Sequence, residues 1–136
     1  MAKYWLFKTE PSAYSYDRLA EERRTVWDGV KNPVARRHLA AVRRGDEVLI
    51  YHTGDEKAVV GVARAASDGY ADPKLHDPKA AVVDLVPLRR LARPVTLAEL
   101  KARATFQKHA LARQPRLSVM PLAAAEWREI ERMSKA

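Results

Sequence analysis

The 136-residue sequence contains no cysteine, which excludes disulfide bonds, thiolate catalysis and zinc sites with cysteine ligands. Glycine is scarce, with five residues, and neither a Gly-x-Ser-x-Gly elbow nor a phosphate-binding Walker loop occurs. No apolar run is long enough to predict a membrane-spanning helix. The N-terminus lacks the long apolar stretch of a signal peptide, so we expect a cytoplasmic protein.

The sequence contains enough hydrophobic residues for one core and has a clear excess of positive charge. Hydrophobic residues make up 47% of the chain, and we expect a single domain over residues 1–136. The formal net charge is +8, with arginine more frequent than lysine. A basic domain of this size often meets phosphate, but an arginine-rich proteome would give the same charge. Charge alone leaves both interpretations open.

Local signals predict strands alternating with short helices. Helix starts are indicated by Ser15, by Asn32 followed by Pro33, and by the capping box of Thr96 and Glu99. A further helix is expected from about residue 123, with Trp127 packed inside. Strands are expected at 3–8, 47–53, 58–64, 81–88 and 116–120, a turn at 26–29 and a loop over 68–80. This pattern predicts an α+β fold whose sheet closes, or nearly closes, into a small barrel.

Periodicity also predicts which side chains form the core. Alternation along the strands predicts burial of Trp5, Phe7, Val48, Ile50, Val60 and Leu85. Helical spacing predicts that Val34, Leu39 and Val42 share the inner face of the second helix.

Candidate functional residues cluster at predicted strand ends rather than in a catalytic motif. The four histidines show no i, i+4 pairing typical of a zinc helix, and we expect no metal, no cofactor and no catalytic constellation. Lys8, Thr9 and Glu10 follow the first strand, and His52 and Thr53 end another. Ser118 lies within the predicted last strand. Such residues contact ligands at barrel mouths, although they also cap turns.

Trp27 precedes the Asp28-Gly29 turn and has two interpretations. A tryptophan in a loop forms a stacking wall for a nucleic-acid base. A core tryptophan under the following helix is the alternative, and the usual burial of tryptophan favours it.

Several segments together resemble the EVE domain family. They include Tyr4-Trp-Leu-Phe-Lys-Thr-Glu-Pro11, Trp27-Asp-Gly-Val-Lys-Asn32, Ala35-Arg36, Gly45-Asp46, Tyr51-His-Thr53, Gly61-Val62, Tyr70-Ala-Asp-Pro73 and Arg116-Leu-Ser-Val-Met-Pro121. Their order and spacing match over nearly the whole chain.

The resemblance implies a PUA-like mixed β-pseudo-barrel with flanking helices, related to YTH and ASCH domains. It implies a non-catalytic module that binds nucleic acid, DNA or RNA, by a modified base, with modified cytosine as the expected target. The implied pocket residues are Lys8, Thr9, Trp27, Asn32, Tyr51, His52, Thr53 and Ser118. Further pocket or phosphate contacts are implied at Glu10, Gly29, Val30, Lys31, Tyr70, Arg116 and Leu117.

The sequence departs from the family pattern at several of these positions. Lys31 stands where arginine is common, which keeps the charge but loses the planar fork. Pro115 replaces a usual serine. No tryptophan occurs over residues 70–80, where YTH domains place further cage walls, and Tyr70 is the aromatic residue there. A cage of one tryptophan and a tyrosine would select weakly for a methylated or cationic group.

Two other functions remain open at this point. Related ASCH proteins hydrolyse an acyl group from modified cytidine. In such an enzyme Lys8 would be the base, Thr9 the nucleophile or the residue that positions water, and Glu10 the acid or an orienting group. A sensor of a free nucleoside or an anionic metabolite would use the same pocket.

Overall fold

The computed structural model describes residues 3–136, which form seven strands and five α-helices. The strands are β1 (Tyr4–Thr9), β2 (Thr25–Trp27), β3 (Glu47–His52), β4 (Ala58–Ala65), β5 (Tyr70–Ala71), β6 (Ala81–Thr96) and β7 (Val119–Leu122). The helices are α1 (Tyr16–Glu22), α2 (Pro33–Ala41), α3 (Leu97–Lys101), α4 (Ala110–Arg113) and α5 (Ala124–Ser134), with a 3₁₀ turn at Ala104–Phe106. Residues 1 and 2 lie outside the described residues. That residues 1–136 form a single domain stays a prediction.

The strands form one curled sheet of mixed direction. Their order is β2-β6-β4-β3-β1-β7, with β5 paired to β6. Strands β1 and β3 are parallel, and the other described pairs are antiparallel. Although β1 and β2 are far apart in this order, the rings of Phe7 and Trp27 lie 5.6 Å apart. The sheet therefore curls into a half-barrel, and the predicted mixed α+β fold is confirmed. Its hydrogen-bonded ladder stays open between β2 and β7.

The helix starts predicted from local signals are confirmed. Ser15 accepts a hydrogen bond from the backbone N–H of Arg18, and Asn32 accepts one from Ala35 at 3.0 Å. Thr96 and Glu99 exchange both bonds of a capping box. These caps involve residues three positions apart, so the sequence specifies them without help from the tertiary fold.

The predicted strand core is confirmed in full. Trp5, Phe7, Val48, Ile50, Val60 and Leu85 are each at most 3% exposed. In α2, Leu39 and Val42 are buried as expected, but the prediction for Val34 is wrong, since it is 38% exposed. Val34 is the second residue of the helix, and its neighbour Ala35 takes the inward position instead.

Several predicted element limits differ from the structure. The turn expected at 26–29 is shorter, because Thr25–Trp27 pairs with β6 as β2. Strand β6 continues past residue 88 to Thr96, and bulges between its pairs with β4 accommodate the extra length. The last strand begins at Val119 rather than at residue 116, so Ser118 precedes it. The loop expected over 68–80 contains the two-residue strand β5.

A buried carboxylate joins the start of β1 to the chain that leaves α2. Asp46 is 2% exposed and accepts hydrogen bonds from three N–H groups. These are the backbone N–H groups of Lys3 and Arg43 and the indole N–H of Trp5, each at 2.9 Å. Because β3 begins one residue later, the carboxylate holds the parallel β1–β3 pair at its first residues.

No helix among residues 3–136 is long and apolar enough to cross a bilayer.

Replacement of Asp46 by asparagine is expected to lower the free energy of unfolding by about 2–4 kcal/mol. An asparagine amide turns its NH₂ toward donors, so at least one buried N–H group loses its acceptor. Chemical denaturation measures the change. Asp68→Asn is the matched control, since Asp68 also accepts from a backbone N–H, that of Arg44, but at an exposed site. We expect it to stay within about 0.5 kcal/mol of the parent. Equal losses in both variants would contradict the role of Asp46.

Candidate functional site

A cavity of about 700 Å³ opens where β1 ends beside β2. Its walls come from the end of β1, from α1 and the loop before it, from β2 and the loop that follows it, and from the segment before β7. The lining residues are Lys8, Thr9, Glu10, Ala13, Tyr14, Arg18, Glu22, Thr25, Val26, Trp27, Asp28, Gly29, Val30, Lys31, Asn32, Arg116 and Ser118. Both edge strands of the open sheet thus lie at or beside this cavity.

Short-range geometry positions the loop that follows β2. Gly29 adopts a φ of +74°, a left-handed conformation that glycine takes without steric cost. The chain then reaches Asn32, whose side-chain oxygen caps α2. Since that oxygen is occupied, the amide NH₂ of Asn32 is the group left to meet a ligand. The backbone carbonyl of Val30 accepts from the guanidinium of Arg36 at 2.7 Å, which fixes the middle of the loop.

Trp27 is both a core residue and a cavity wall. It is 8% exposed, and its ring lies 5.6 Å from that of Phe7 on the inner side. On the cavity side, the Tyr14 ring meets it edge-on at 5.9 Å and 89°. The two interpretations of Trp27 left open by the sequence therefore both describe this side chain, and its replacement affects the fold as well as the cavity.

Tyr14 is the aromatic residue of the cavity that the sequence analysis missed. Its hydroxyl donates to Glu22 at 2.6 Å, and the Arg18 guanidinium lies 5.4 Å from its ring centroid. Burial, followed by the bond to Glu22, raises the pKa of Tyr14. The available signal was an aromatic residue directly before the Ser15 cap, four residues beyond Glu10.

Lys8 supplies an amine at the end of β1. Its backbone N–H donates to the carbonyl of Ser118 at 2.8 Å, which holds β1 beside the segment before β7. Its ammonium lies 5.5 Å from the Tyr51 ring centroid. Burial lowers the pKa of Lys8 from its ordinary value of 10.5. Lys8 therefore gives up its proton more readily than an exposed lysine does.

The two residues that follow Lys8 are engaged within the protein. The Thr9 hydroxyl donates to the backbone carbonyl of Tyr14 at 2.7 Å. The Glu10 carboxylate accepts from both the backbone N–H and the hydroxyl of Ser12. That bond to Ser12 is the main cause that lowers the pKa of Glu10. Thr9 and Glu10 thus act chiefly as acceptors toward a ligand.

Charge is distributed unevenly around the cavity. Arg18 pairs with Glu22 at 3.4 Å, which neutralises one side. Among residues 3–136, no carboxylate lies within 4 Å of the charged groups of Lys8, Lys31 or Arg116. These three cations are therefore available to an anion, although the exposed carboxylates of Glu10 and Asp28 also line the cavity.

Three residues predicted for the pocket do not line this cavity. His52 is 5% exposed and accepts from the backbone N–H of Tyr16 through Nε2, while Nδ1 lies 2.7 Å from Glu56. This network places the ring proton on Nδ1 and makes His52 a support for the start of α1. Tyr51 is 3% exposed behind Lys8, and the backbone N–H of Thr53 donates to the carbonyl of Thr9.

Two of the additional predicted contacts also lie elsewhere. Tyr70 on β5 donates its hydroxyl to Asp84 at 2.7 Å, and this bond raises the pKa of Tyr70 to about 12. Its ring does not line the cavity, so the second aromatic wall expected there comes from Tyr14 instead. Leu117 is 5% exposed and lines a smaller hollow next to the cavity. The other predicted residues, Lys8, Thr9, Glu10, Trp27, Gly29, Val30, Lys31, Asn32, Arg116 and Ser118, line the cavity.

Comparison with known proteins places this geometry among similar folds. A protein of Rhodopseudomonas palustris is 38% identical with a TM-score of 0.93, over 98% of this chain and 94% of that one. The human THYN1 protein, in a crystal structure of its complex with 5-methylcytosine-containing DNA, is 28% identical with a TM-score of 0.90, over 99% of both chains. Human thymocyte nuclear protein 1 aligns at 29% identity over 93% of this chain and 72% of its own length. The EVE domain model matches residues 3–133, and the chain therefore belongs to the EVE domain family.

Proposed function

We propose that the protein is a non-catalytic module that binds a modified cytosine of nucleic acid in the cavity beside Trp27. One observation carries the proposal. The cavity combines a tryptophan wall, hydrogen-bonding groups and unpaired cations in a fold shared with the human protein crystallised with 5-methylcytosine-containing DNA. A base must leave its stack to enter such a cavity, and a mismatched or single-stranded base does so at lower cost than a paired one.

Stacking supplies the first part of the recognition. Trp27 and Tyr14 both line the cavity with their rings perpendicular to each other at 5.9 Å, so the two rings form an aromatic corner. Stacking of a base on an aromatic side chain contributes about 1–3 kcal/mol and tolerates any base. The corner therefore binds a flat ring, and selection among bases falls to the polar groups.

The cavity offers both hydrogen-bond donors and hydrogen-bond acceptors to the edge of a cytosine. The base presents an exocyclic amine as donor and ring nitrogen and carbonyl oxygen as acceptors. The Asn32 NH₂ and the Lys8 amine are donors suited to those acceptors. The Asp28 carboxylate, which lines the cavity and is exposed, is an acceptor suited to the amine. Thymine carries a ring N–H where cytosine has an acceptor, so a fixed donor discriminates between them.

Catalysis is the second candidate, because the lowered pKa of Lys8 is what a general base needs. The contacts of its neighbours favour binding instead. The Thr9 hydroxyl is 2.7 Å from the Tyr14 carbonyl rather than bonded to Lys8, and Glu10 is bonded to Ser12. No nucleophile–base pair is formed by Lys8, Thr9 and Glu10. Binding without turnover, and a cytoplasmic location, stay predictions.

Trp27→Leu is expected to weaken binding of a 5-methylcytosine oligonucleotide by about 1–3 kcal/mol, because it removes the stacking face. Leucine keeps apolar bulk against Phe7, whereas alanine at this position would cost about 3–5 kcal/mol of stability and obscure the result. Calorimetric titration of the folded protein gives the affinity.

Trp127→Leu is the control for Trp27→Leu. Trp127 is 6% exposed and stacks on Tyr4 at 4.9 Å, away from the cavity. The Trp127→Leu variant should be less stable than the parent but should bind the 5-methylcytosine oligonucleotide with the same affinity. If the two variants bind equally well, the base does not stack on Trp27 and the proposed function fails.

Asn32→Ser is expected to reduce the preference for 5-methylcytosine over thymine while leaving stability nearly unchanged. Serine caps a helix about as well as asparagine, but it removes the NH₂ group. One hydrogen bond of about 0.5–1.5 kcal/mol corresponds to a roughly 2- to 10-fold loss of preference. Titrations with matched oligonucleotides measure it. Ser15→Asn, at the cap of α1, serves as the control. An unchanged preference would remove Asn32 from base recognition.

Binding is expected to weaken as the pH rises through a range below 10.5, because the half-buried Lys8 loses its charge there. The empty protein should become more stable over the same rise, since the unfolded chain holds that proton more tightly. Lys8→Arg keeps its charge and should lose the pH dependence of binding. Lys101→Arg on α3 is the control, and an affinity that follows the same pH curve in Lys8→Arg and the parent would contradict the assignment.

A further inference from the structure

A smaller hollow of about 350 Å³ adjoins the main cavity. It is lined by Asn32, Val34, Gln114, Pro115, Arg116 and Leu117. Asn32 and Arg116 line both spaces, so the hollow lies directly beside the cavity. A ligand longer than one base can therefore contact both.

The lining of the hollow combines polar and aliphatic side chains. Val34, at the start of α2, is 38% exposed, Pro115 is also exposed, and the buried Leu117 completes the aliphatic part of the lining. The backbone N–H of Leu117 donates to the Gln114 carbonyl at 3.0 Å, which fixes the turn that carries Pro115. Exposed aliphatic groups of this kind gain free energy when the flat face of a sugar or a base covers them.

Charge selects the class of ligand. Arg116 stands at the junction of the two spaces, and Lys31 lies next to Asn32 in the chain. Within the described part of the chain, neither has a carboxylate within 4 Å. If one part of a ligand occupies the cavity and another part occupies the hollow, an anionic group that joins them meets the unpaired guanidinium of Arg116. A phosphodiester that joins two nucleosides has this arrangement, with one charge between two apolar ring systems.

We propose that the hollow binds the nucleotide next to the modified base, on one side of it. The sugar and base of this neighbour lie against Val34 and Pro115, and the phosphate that joins it to the modified nucleotide lies at Arg116. The inference rests on the proposed function, because it takes the main cavity as the place of the modified base. It adds that the protein reads a dinucleotide step rather than an isolated base.

The test compares 5-methyldeoxycytidine with two dinucleotides that carry an added thymidine on its 5′ or its 3′ side. One of the two dinucleotides is expected to bind about 5- to 20-fold more tightly than the nucleoside, through the phosphate and the aliphatic contact. Replacement of that thymidine by an abasic sugar should remove part of the gain. NMR titration measures all of these affinities, including weak ones.

Val34→Ser should reduce the affinity advantage of the dinucleotide over the nucleoside about 2- to 5-fold, because it removes only the apolar contact. The affinity for the nucleoside itself should stay unchanged. Val34→Tyr should increase the gain by adding a stacking face. Leu88→Ser is the matched control, since Leu88 is 39% exposed on β6 and lines neither space.

The outcomes separate the two proposals. If the nucleoside binds but both dinucleotides bind no better, or if Val34→Ser leaves the gain unchanged, the inference is overturned while the proposed function stands. If Trp27→Leu leaves nucleoside affinity unchanged, the proposed function fails, and the inference fails with it.

Discussion

The buried Asp46 carboxylate is the contact on which the rest of the architecture depends. Parallel strands need a long crossover, and here it runs through α1, β2 and α2 before β3 returns beside β1. Asp46, at the end of that crossover, accepts from Arg43 within the crossover and from Lys3 beside the start of β1. These bonds set the register of β1 against β3, which is maintained from the Tyr4–Glu47 pair to the Thr9–His52 pair. The end of β1, where Lys8 enters the cavity, is therefore positioned from the opposite end of the strand.

The open ladder explains why a cavity exists at all. A closed barrel would pair β2 with its neighbour across the gap and fill the space with side chains. Here the two edges remain unpaired to each other, and Trp27 packs against Phe7 while it also lines the opening. A single ring then stabilises the domain and forms the wall. Function and stability are thus coupled at this residue, and sequence change there is constrained by both.

The sequence predicted what short-range chemistry determines. The caps at Ser15 and Asn32 were correct because their partners lie three residues away. Alternation in β1 and β3 identified part of the core, since Leu6 and Leu49 between the predicted residues are buried as well. Long-range geometry decided the remainder. His52 matched a family motif, yet its bond to Tyr16, 36 residues away, fixes it outside the cavity. Tyr14 reaches the cavity because α1 folds beside β2, which no local pattern indicates. The prediction ended strand β6 at residue 88, although the strand has 16 residues, because its extension contains bulges rather than regular alternation.

The bond from Lys8 to Ser118 has a consequence for synthesis on the ribosome. It joins residues 110 positions apart, and both of them line the cavity. Strand β1 emerges first but acquires β7 only after residues 119–122 have been translated. A nascent chain can pair β1 with β3 much earlier and still lack one wall of the cavity. Ligand capture in this cavity therefore requires residues 116–122 to have been translated, and chains that terminate before them lack that wall.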